Sequence, residues 1–292
     1  MTDALVQRIT DLSAPLDPLP TGATPRLPLL DGLRAVVFDV YGTLLISASG
    51  DISLAMESSR DDAARTALRS VGAQVGDRAA VVEPFFKAIE HAHQASAEEF
   101  PEVEIRDIWR QVLQGLGVEL DDPAIERLAV EYECRVNAIW PMPHLAETLS
   151  SLRQAGVRLG IVSNAQFFTP LAFPALTGKT LEQWGFDPKI CVWSYQHRRA
   201  KPGAGLYETC VQGLAAGGVQ PQETLYVGND MRNDIGPAQA VGMRTALFAG
   251  DARSLRLRED DPRLDGVSPD VVVTRLDQLL TVVGLRPEAC RK

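Results

Sequence analysis

The run LRAVVFDVYGTLL, residues 33–45, decides the fold. From Leu33 to Phe38 it is apolar at every position but Arg34, with no polar–apolar alternation. A strand apolar on both faces belongs inside a parallel sheet covered by helices on both sides. Asp39 follows the apolar stretch, Gly42 permits a tight turn three residues later, and Thr43 comes next. Burying a carboxylate is costly unless it is paired, so Asp39 is either a turn or cap residue or part of a site.

Working outward, similar strand signals recur at VRLGIVS (157–163), ICVWS (190–194), ETLYVGN (223–229), MRTALF (243–248) and DVVVT (270–274). Helical patterns lie between most of them, as in LAETLSSLRQAG (145–156) and LYETCVQGLAAG (206–217). Strands alternating with helices predict a doubly wound α/β fold with a parallel sheet. One gap breaks the rhythm. Between Leu45 and about Pro141 strand signals nearly vanish, and segments 58–72, 82–98, 104–117 and 122–139 all read as helical. Such an insert, entering directly after the first strand, is expected over the carboxyl ends of the strands, where open α/β sheets bind ligands. The division expected is a proline-rich arm at 1–30 outside the main fold, an α/β core at 31–46 and 142–292, and a helical cap at 47–141.

Composition bounds the function. The 292 residues are 45% hydrophobic and 23% charged, ordinary for a globular protein. Lys plus Arg number 29 against 38 Asp plus Glu, a net charge of −9, which argues against nucleic acid or an anionic membrane surface as partner. A small basic pocket for a small anionic substrate remains compatible. Cys134, Cys191, Cys210 and Cys290 are widely spaced, without CxxC, and read as thiols in a reducing compartment. No apolar run reaches membrane-spanning length, and MTDALVQRIT has no apolar signal core, so a cytoplasmic protein is expected. Oligomeric state is left open.

Four strand ends carry chemistry: Asp39; Ser163 followed by Asn164; Lys201 after a short loop; and Asn229-Asp230 with Asp234 four residues beyond Asp230. A parallel sheet brings all four to one edge. A hydroxyl and an ammonium to hold a phosphate, two carboxylates to hold Mg²⁺ and one to attack would suit phosphoryl chemistry.

In order, DVYGTLL (39–45), IVSN (161–164), KPGAGLY (201–207) and VGNDMRNDIGPAQAVGM (227–243) resemble the four motifs of the haloacid dehalogenase superfamily of aspartate-nucleophile hydrolases. The resemblance implies a Rossmann-like sheet of strand order 5-4-1-2-3 with a helical cap between the first and second motifs. It implies catalytic roles for Asp39 (nucleophile), Ser163, Lys201 and Asp234. Ser163, Asn164, Lys201 and Thr43 would bind the transferred group. Mg²⁺ would sit between Asp39, the backbone carbonyl of Tyr41 and Asp230. A longer-spaced variant of the fourth motif would use Asn229 instead, but a hard dication favours the carboxylate.

The motifs disagree on the activity. Phosphatases of the superfamily carry a second Asp two residues after the nucleophile as acid–base group. Tyr41 stands there, and an ordinary phenol, with a pKa of about 10, is a poor substitute near neutrality. The DxYGT form resembles 2-haloacid dehalogenases, whose halide leaves without a proton, and Tyr207 matches a tyrosine of theirs, although a helix residue packing on the sheet is the better reading of it. The Asn229-Asp230-Met231 sequence instead resembles Mg²⁺-dependent phosphatases. The expectation is therefore a Mg²⁺-dependent phosphatase acting on a small phosphorylated metabolite. The alternatives are a metal-independent 2-haloacid dehalogenase and a catalytically weak binding protein. Weaker signals are Arg198 and Arg199 as a steering pair, Phe167 and Phe168 as pocket wall or packing beneath the cap, and Glu259 to Asp261 as a solvated loop.

Overall fold

The structure, a computed structural model, describes residues 2–48, 57–76 and 80–285. Cys290 lies outside them, as do parts of the expected cap and of the carboxyl-terminal core. Helix α1 (Thr2–Leu12) precedes strand β1 (Ala35–Phe38) and the short β2 (Leu45–Ser47). Four helices follow: α2 (Glu57–Ser70), α3 (Val82–Gln94), α4 (Ile105–Gly115) and α5 (Asp122–Val136). After β3 (Ile139–Pro141) come α6 (Leu145–Gln154), β4 (Arg158–Ser163), α7 (Thr169–Thr177), α8 (Leu181–Trp184), β5 (Phe186–Trp193), α9 (Ser194–His197) and α10 (Gly205–Ala216). The chain continues through β6 (Thr224–Gly228), α11 (Gly236–Ala240), β7 (Arg244–Phe248), β8 (Val271–Val273) and α12 (Gln278–Val282).

Six strands form one parallel sheet in the order β5-β4-β1-β6-β7-β8. Counted along the chain as parallel strands, this is the expected 5-4-1-2-3 order with a sixth strand at the outer edge. The unbroken apolar character of β1 has a direct cause. Val36 and Phe38 pack into the layer containing Leu149 of α6 and Phe173 of α7. Ala35 and Val37 pack into the opposite layer, with Leu206 and Leu214 of α10. Both neighbours of β1, β4 and β6, are parallel to it, and the winding proceeds outward from it in both directions, so the loops at its carboxyl end diverge and open a crevice.

The insert has its own apolar cluster, built on Trp109, Leu113, Leu128 and Phe85. Helix α4 buries Ile108, Trp109, Val112 and Leu113, the 3–4 spacing of one helical face. Its start is set by Glu104, whose carboxylate accepts from the Arg106 amide, and α5 starts where Asp121 accepts from the Ala124 amide just before a first-turn proline. At the insert's base β2 and β3 pair antiparallel, Leu45 opposite Pro141. Three residues each are too few to show a period, so this ribbon gave no strand signal.

Residues 2–30 do not lie outside the fold. Leu5 and Ile9 of α1 are buried in the helical cluster with α5, and Thr10 Oγ1 donates to the Ala175 carbonyl of α7 at 2.9 Å. Arg8 pairs with the buried carboxylate of Glu131, which Arg135 also holds. Burial alone would raise that carboxyl; the two guanidiniums outweigh it and keep it below the usual range. The following segment is extended, as the prolines predict, but it is pinned: Thr21 Oγ1 donates to Ala249 O at 2.7 Å, and Arg26 bridges Val272 on the outer edge of β8. Ile9 is 2% exposed, so Ile9→Ala is expected to lower unfolding free energy by about 2–5 kcal/mol. An unchanged denaturant midpoint would show that α1 is not docked.

Candidate active site

Each expected site residue sits at the carboxyl edge of β1, β4 or β6 or in the segments that follow β1, β4, β5 and β6. Asp39 follows β1, and its amide donates to Val227 O of β6 at 2.9 Å. Ser163 ends β4, and its hydroxyl donates to Asp39 Oδ1 at 2.8 Å. Lys201 Nζ lies 2.7 Å from the same oxygen and 2.6 Å from Asp234 Oδ1. All three charged groups are buried. Burial alone would lower the Lys201 ammonium, but Asp234 and Asp39 outweigh it and raise it above the ordinary value, so it stays charged. Burial pushes the Asp234 carboxyl up, to about 6, against the pull of Lys201.

Asp234 is saturated by its neighbours. Oδ1 meets Lys201 and lies 3.1 Å from the Tyr226 hydroxyl; Oδ2 accepts from the amides of Asn229 (3.0 Å) and Asp230 (2.9 Å). It fixes the ammonium and the fourth loop, and has no oxygen left over to activate water. Gly228 permits this closeness, since a Cβ there would come within 2.4 Å of Asp234 Cγ. Asn164 holds Lys201 through the backbone: its Oδ1 accepts from the Lys201 amide at 2.7 Å, and its Nδ2 reaches the Lys201 carbonyl at 3.3 Å.

The first loop turns on Gly42, at φ 82°, where a Cβ would strike Ser254 at 2.4 Å. Thr43 Oγ1 donates to Asn229 Oδ1 at 3.1 Å, while Asn229 Nδ2 donates to Ser254 O at 2.6 Å. Thr43 and Asn229 thus order loops, and the hydroxyl of Thr43 is spent on Asn229 rather than on the cavity. Tyr41 is not a substitute acid. Its hydroxyl pairs with Thr169 Oγ1 at 2.9 Å, and burial, with Glu133 nearby, pushes it above the ordinary phenol value. Tyr207 donates to Asn233 O at 2.6 Å and packs on Tyr226, a supporting role.

Asp230 departs from the expected arrangement. Its Oδ2 lies 2.8 Å from Arg258 Nη2 and 3.2 Å from Asn233 Nδ2. Its Oδ1 accepts from the amides of Arg232 (2.9 Å) and Asn233 (3.2 Å) and lies 3.3 Å from Arg258 Nε. Both oxygens are engaged, and Asp39 Oδ1 is held by Ser163 and Lys201. Of the groups expected to hold Mg²⁺, Asp230 does not fit as placed, because the Arg258 guanidinium already holds both of its oxygens.

These groups open on a cavity of about 240 Å³. Every described lining residue is polar or charged, with Lys201, Arg256 and Arg258 as its cations and Asp39, Asp230 and Asp234 as its carboxylates. Arg256, Arg258 and Ser254 were missed in the sequence, although RSLRLR (253–258) is a visible basic cluster after the fifth strand. Arg198 and Arg199 are not in the cavity lining: they pair with Asp107 (2.8 Å) and Glu98 (2.9 Å). Beside them, the Ala200 amide donates to Phe100 O and the Glu102 amide to Arg198 O, so the insert is stitched to the loop that carries Lys201. Phe168 packs into the helical apolar cluster, one of the two roles left open for it.

Comparison with known proteins gives the family. A phosphoglycolate phosphatase of Escherichia coli is 27% identical over 271 residues, covering 87% of this chain and 94% of that protein. A glyceraldehyde 3-phosphate phosphatase of Methanopyrus kandleri is 24% identical over 86% of this chain and 97% of its own. Among solved structures, a 2-haloacid dehalogenase from Pseudomonas syringae pv. Tomato superposes with a TM-score of 0.57 at 19% identity, covering 86% of this chain and 98% of that one. A HAD phosphatase from Thermococcus onnurineus does so with a TM-score of 0.54 at 20% identity, covering 87% and 100%. The sheet order matches that expected from the four motifs, and a family model matches residues 33–242: the chain belongs to the haloacid dehalogenase-like hydrolases.

Proposed function

We propose that the protein is a phosphoric monoester hydrolase acting on a small phosphorylated metabolite through an aspartyl-phosphate at Asp39. One observation carries the reading: Ser163 and Lys201 converge on a single oxygen of the buried Asp39, its Oδ1. Oδ2 then has neither partner and is the attacking atom. It forms a bond to phosphorus as the ester P–O bond breaks, and the leaving oxygen keeps the electron pair. Water then attacks the aspartyl-phosphate at phosphorus, releasing inorganic phosphate and restoring the carboxylate. Lys201 offsets the anionic charge that builds up, and Asp234 and Asn164 hold Lys201 in place. Residues 47–141 act as the cap, with specificity in the side chains they turn to the crevice.

Two considerations favour phosphate over halide. The described cavity lining is mostly polar, with Tyr41 its one aromatic residue, and its lysine and two arginines suit a dianion. The phosphatase relatives align over most of both chains. Mg²⁺ is the cofactor the motifs lead one to expect, but Asp230, the carboxylate expected to hold it, is held by Arg258.

With Tyr41 tied to Thr169, no side chain at that position protonates the leaving oxygen. Rates are therefore expected to rise steeply as the leaving group becomes a weaker base, with p-nitrophenyl phosphate turned over far faster than an alkyl phosphate. Equal rates for the two would show that an acid is present and that this mechanism is incomplete. The absent acid also favours a second reading, metal-independent 2-haloacid dehalogenation. Chloride release from 2-chloropropionate without phosphatase turnover would establish it instead.

A further inference from the structure

We propose that Arg258 takes the place of a divalent cation at Asp230, and that this chain neither binds a divalent metal through Asp230 nor needs one for turnover. The turnover half rests on the reading of Asp39 as a phosphoryl acceptor; the binding half does not.

The placement of Arg258 is built by the fold. The segment after β7 runs alongside the fourth loop as a parallel bridge: the Arg256 amide donates to Asn229 O and the Met231 amide to Arg256 O, both at 2.9 Å. Two residues on, Arg258 adopts φ 56°, a left-handed conformation uncommon for a non-glycine residue, and its carbonyl accepts from the Asp261 amide at 2.9 Å. In that conformation the guanidinium meets both oxygens of Asp230, at 2.8 and 3.3 Å. The base of the segment is fixed from outside. Asp251 accepts from the Leu19 amide at 3.1 Å, and the Ala252 amide donates to Leu19 O at 2.9 Å, so the amino-terminal arm clamps it.

The charges agree with this. A divalent ion beside three carboxylates and one lysine would bring two positive charges. Arg258 already brings a positive charge to the carboxylate of Asp230. Guanidiniums are always charged and match a carboxylate through two donors. An incoming dication at Asp230 would have to displace that contact. Arg258 acts here as a positioning and charge-balancing residue, holding Asp230 and the fourth loop around Asp234.

The test is Mn²⁺ uptake by the full chain, followed by the electron paramagnetic resonance signal of the free ion, which needs no turnover. Wild type is expected to take up no Mn²⁺ at millimolar concentration. Arg258→Gln, which removes the charge and releases Asp230, is expected to bind it at least about tenfold more tightly, and adding Asp230→Asn is expected to abolish that gain. Arg258→Lys, which keeps the charge, should behave as wild type. Wild-type uptake of one Mn²⁺ that Asp230→Asn removes would overturn the proposal. Release from p-nitrophenyl phosphate by wild type should be unchanged by a chelator; loss restored by Mg²⁺ would also overturn it. Failure to turn over that ester under any condition would count against the phosphatase reading alone, and the Mn²⁺ arms would still decide this one.

Discussion

Asp39→Asn is expected to lower phosphatase turnover by at least about 10⁴-fold, with the fold intact. The amide is nearly isosteric, so Ser163 and Lys201 keep a neighbour of the same shape, but it has no carboxylate oxygen to attack phosphorus. Among the described residues no second carboxylate in the cavity is free to attack: Asp234 is held by Lys201, Tyr226 and two backbone amides, and Asp230 by Arg258 and the 232–233 amides. Steady-state rates with p-nitrophenyl phosphate, alongside the denaturation midpoint, check this. Residual activity within tenfold of wild type would place the nucleophile elsewhere.

Lys201→Met is expected to damage both stability and activity. It removes the cation between two buried carboxylates, 2.7 Å from Asp39 and 2.6 Å from Asp234. Breaking a buried pair from one side costs about 3–5 kcal/mol, because a charge is left without a partner. Asp234, already pushed up to about 6, would move further toward the neutral form. Turnover should fall by about 10²–10³-fold or more, since a preorganised positive charge at the reacting group is lost. Adding Asp234→Asn should restore part of the stability and none of the rate. That split separates structural charge balance from catalysis; equal recovery of both would contradict the role assigned to Lys201.

How much of this was legible from sequence differs from element to element. All six sheet strands were visible because both faces are covered, which forces nearly continuous apolar runs. The start of β5 was not, because Asp187, Pro188 and Lys189 are polar or proline residues tolerated at a sheet edge. The docking of α1 was under-read. Leu5 and Ile9 stand four apart on one face, but what they pack against comes from α5 and α7, far along the chain.

The same distinction runs through the site. Asp39, Ser163 and Lys201 could be brought together from sequence because each stands at a strand's carboxyl end or in the loop just after it, and a parallel sheet gathers those ends on one edge. Asn164 was assigned to the substrate, yet its amide is used on the Lys201 backbone. Asp230 was assigned to a metal from its spacing to Asp234. Its actual partner lies 28 residues later, delivered by a backbone bridge and a left-handed residue that no local pattern announces. Local chemistry identified the groups; nonlocal pairing decided which way they face.

The central claim is the covalent aspartyl-phosphate. Its most direct test is acid-quenched single turnover of p-nitrophenyl phosphate, followed by mass spectrometry of the peptide that contains Asp39. The expected result is one phosphoryl group on Asp39 that disappears as inorganic phosphate is released and is absent in Asp39→Asn. Phosphate released at the same rate with no adduct on Asp39 at any quench time would contradict the mechanism.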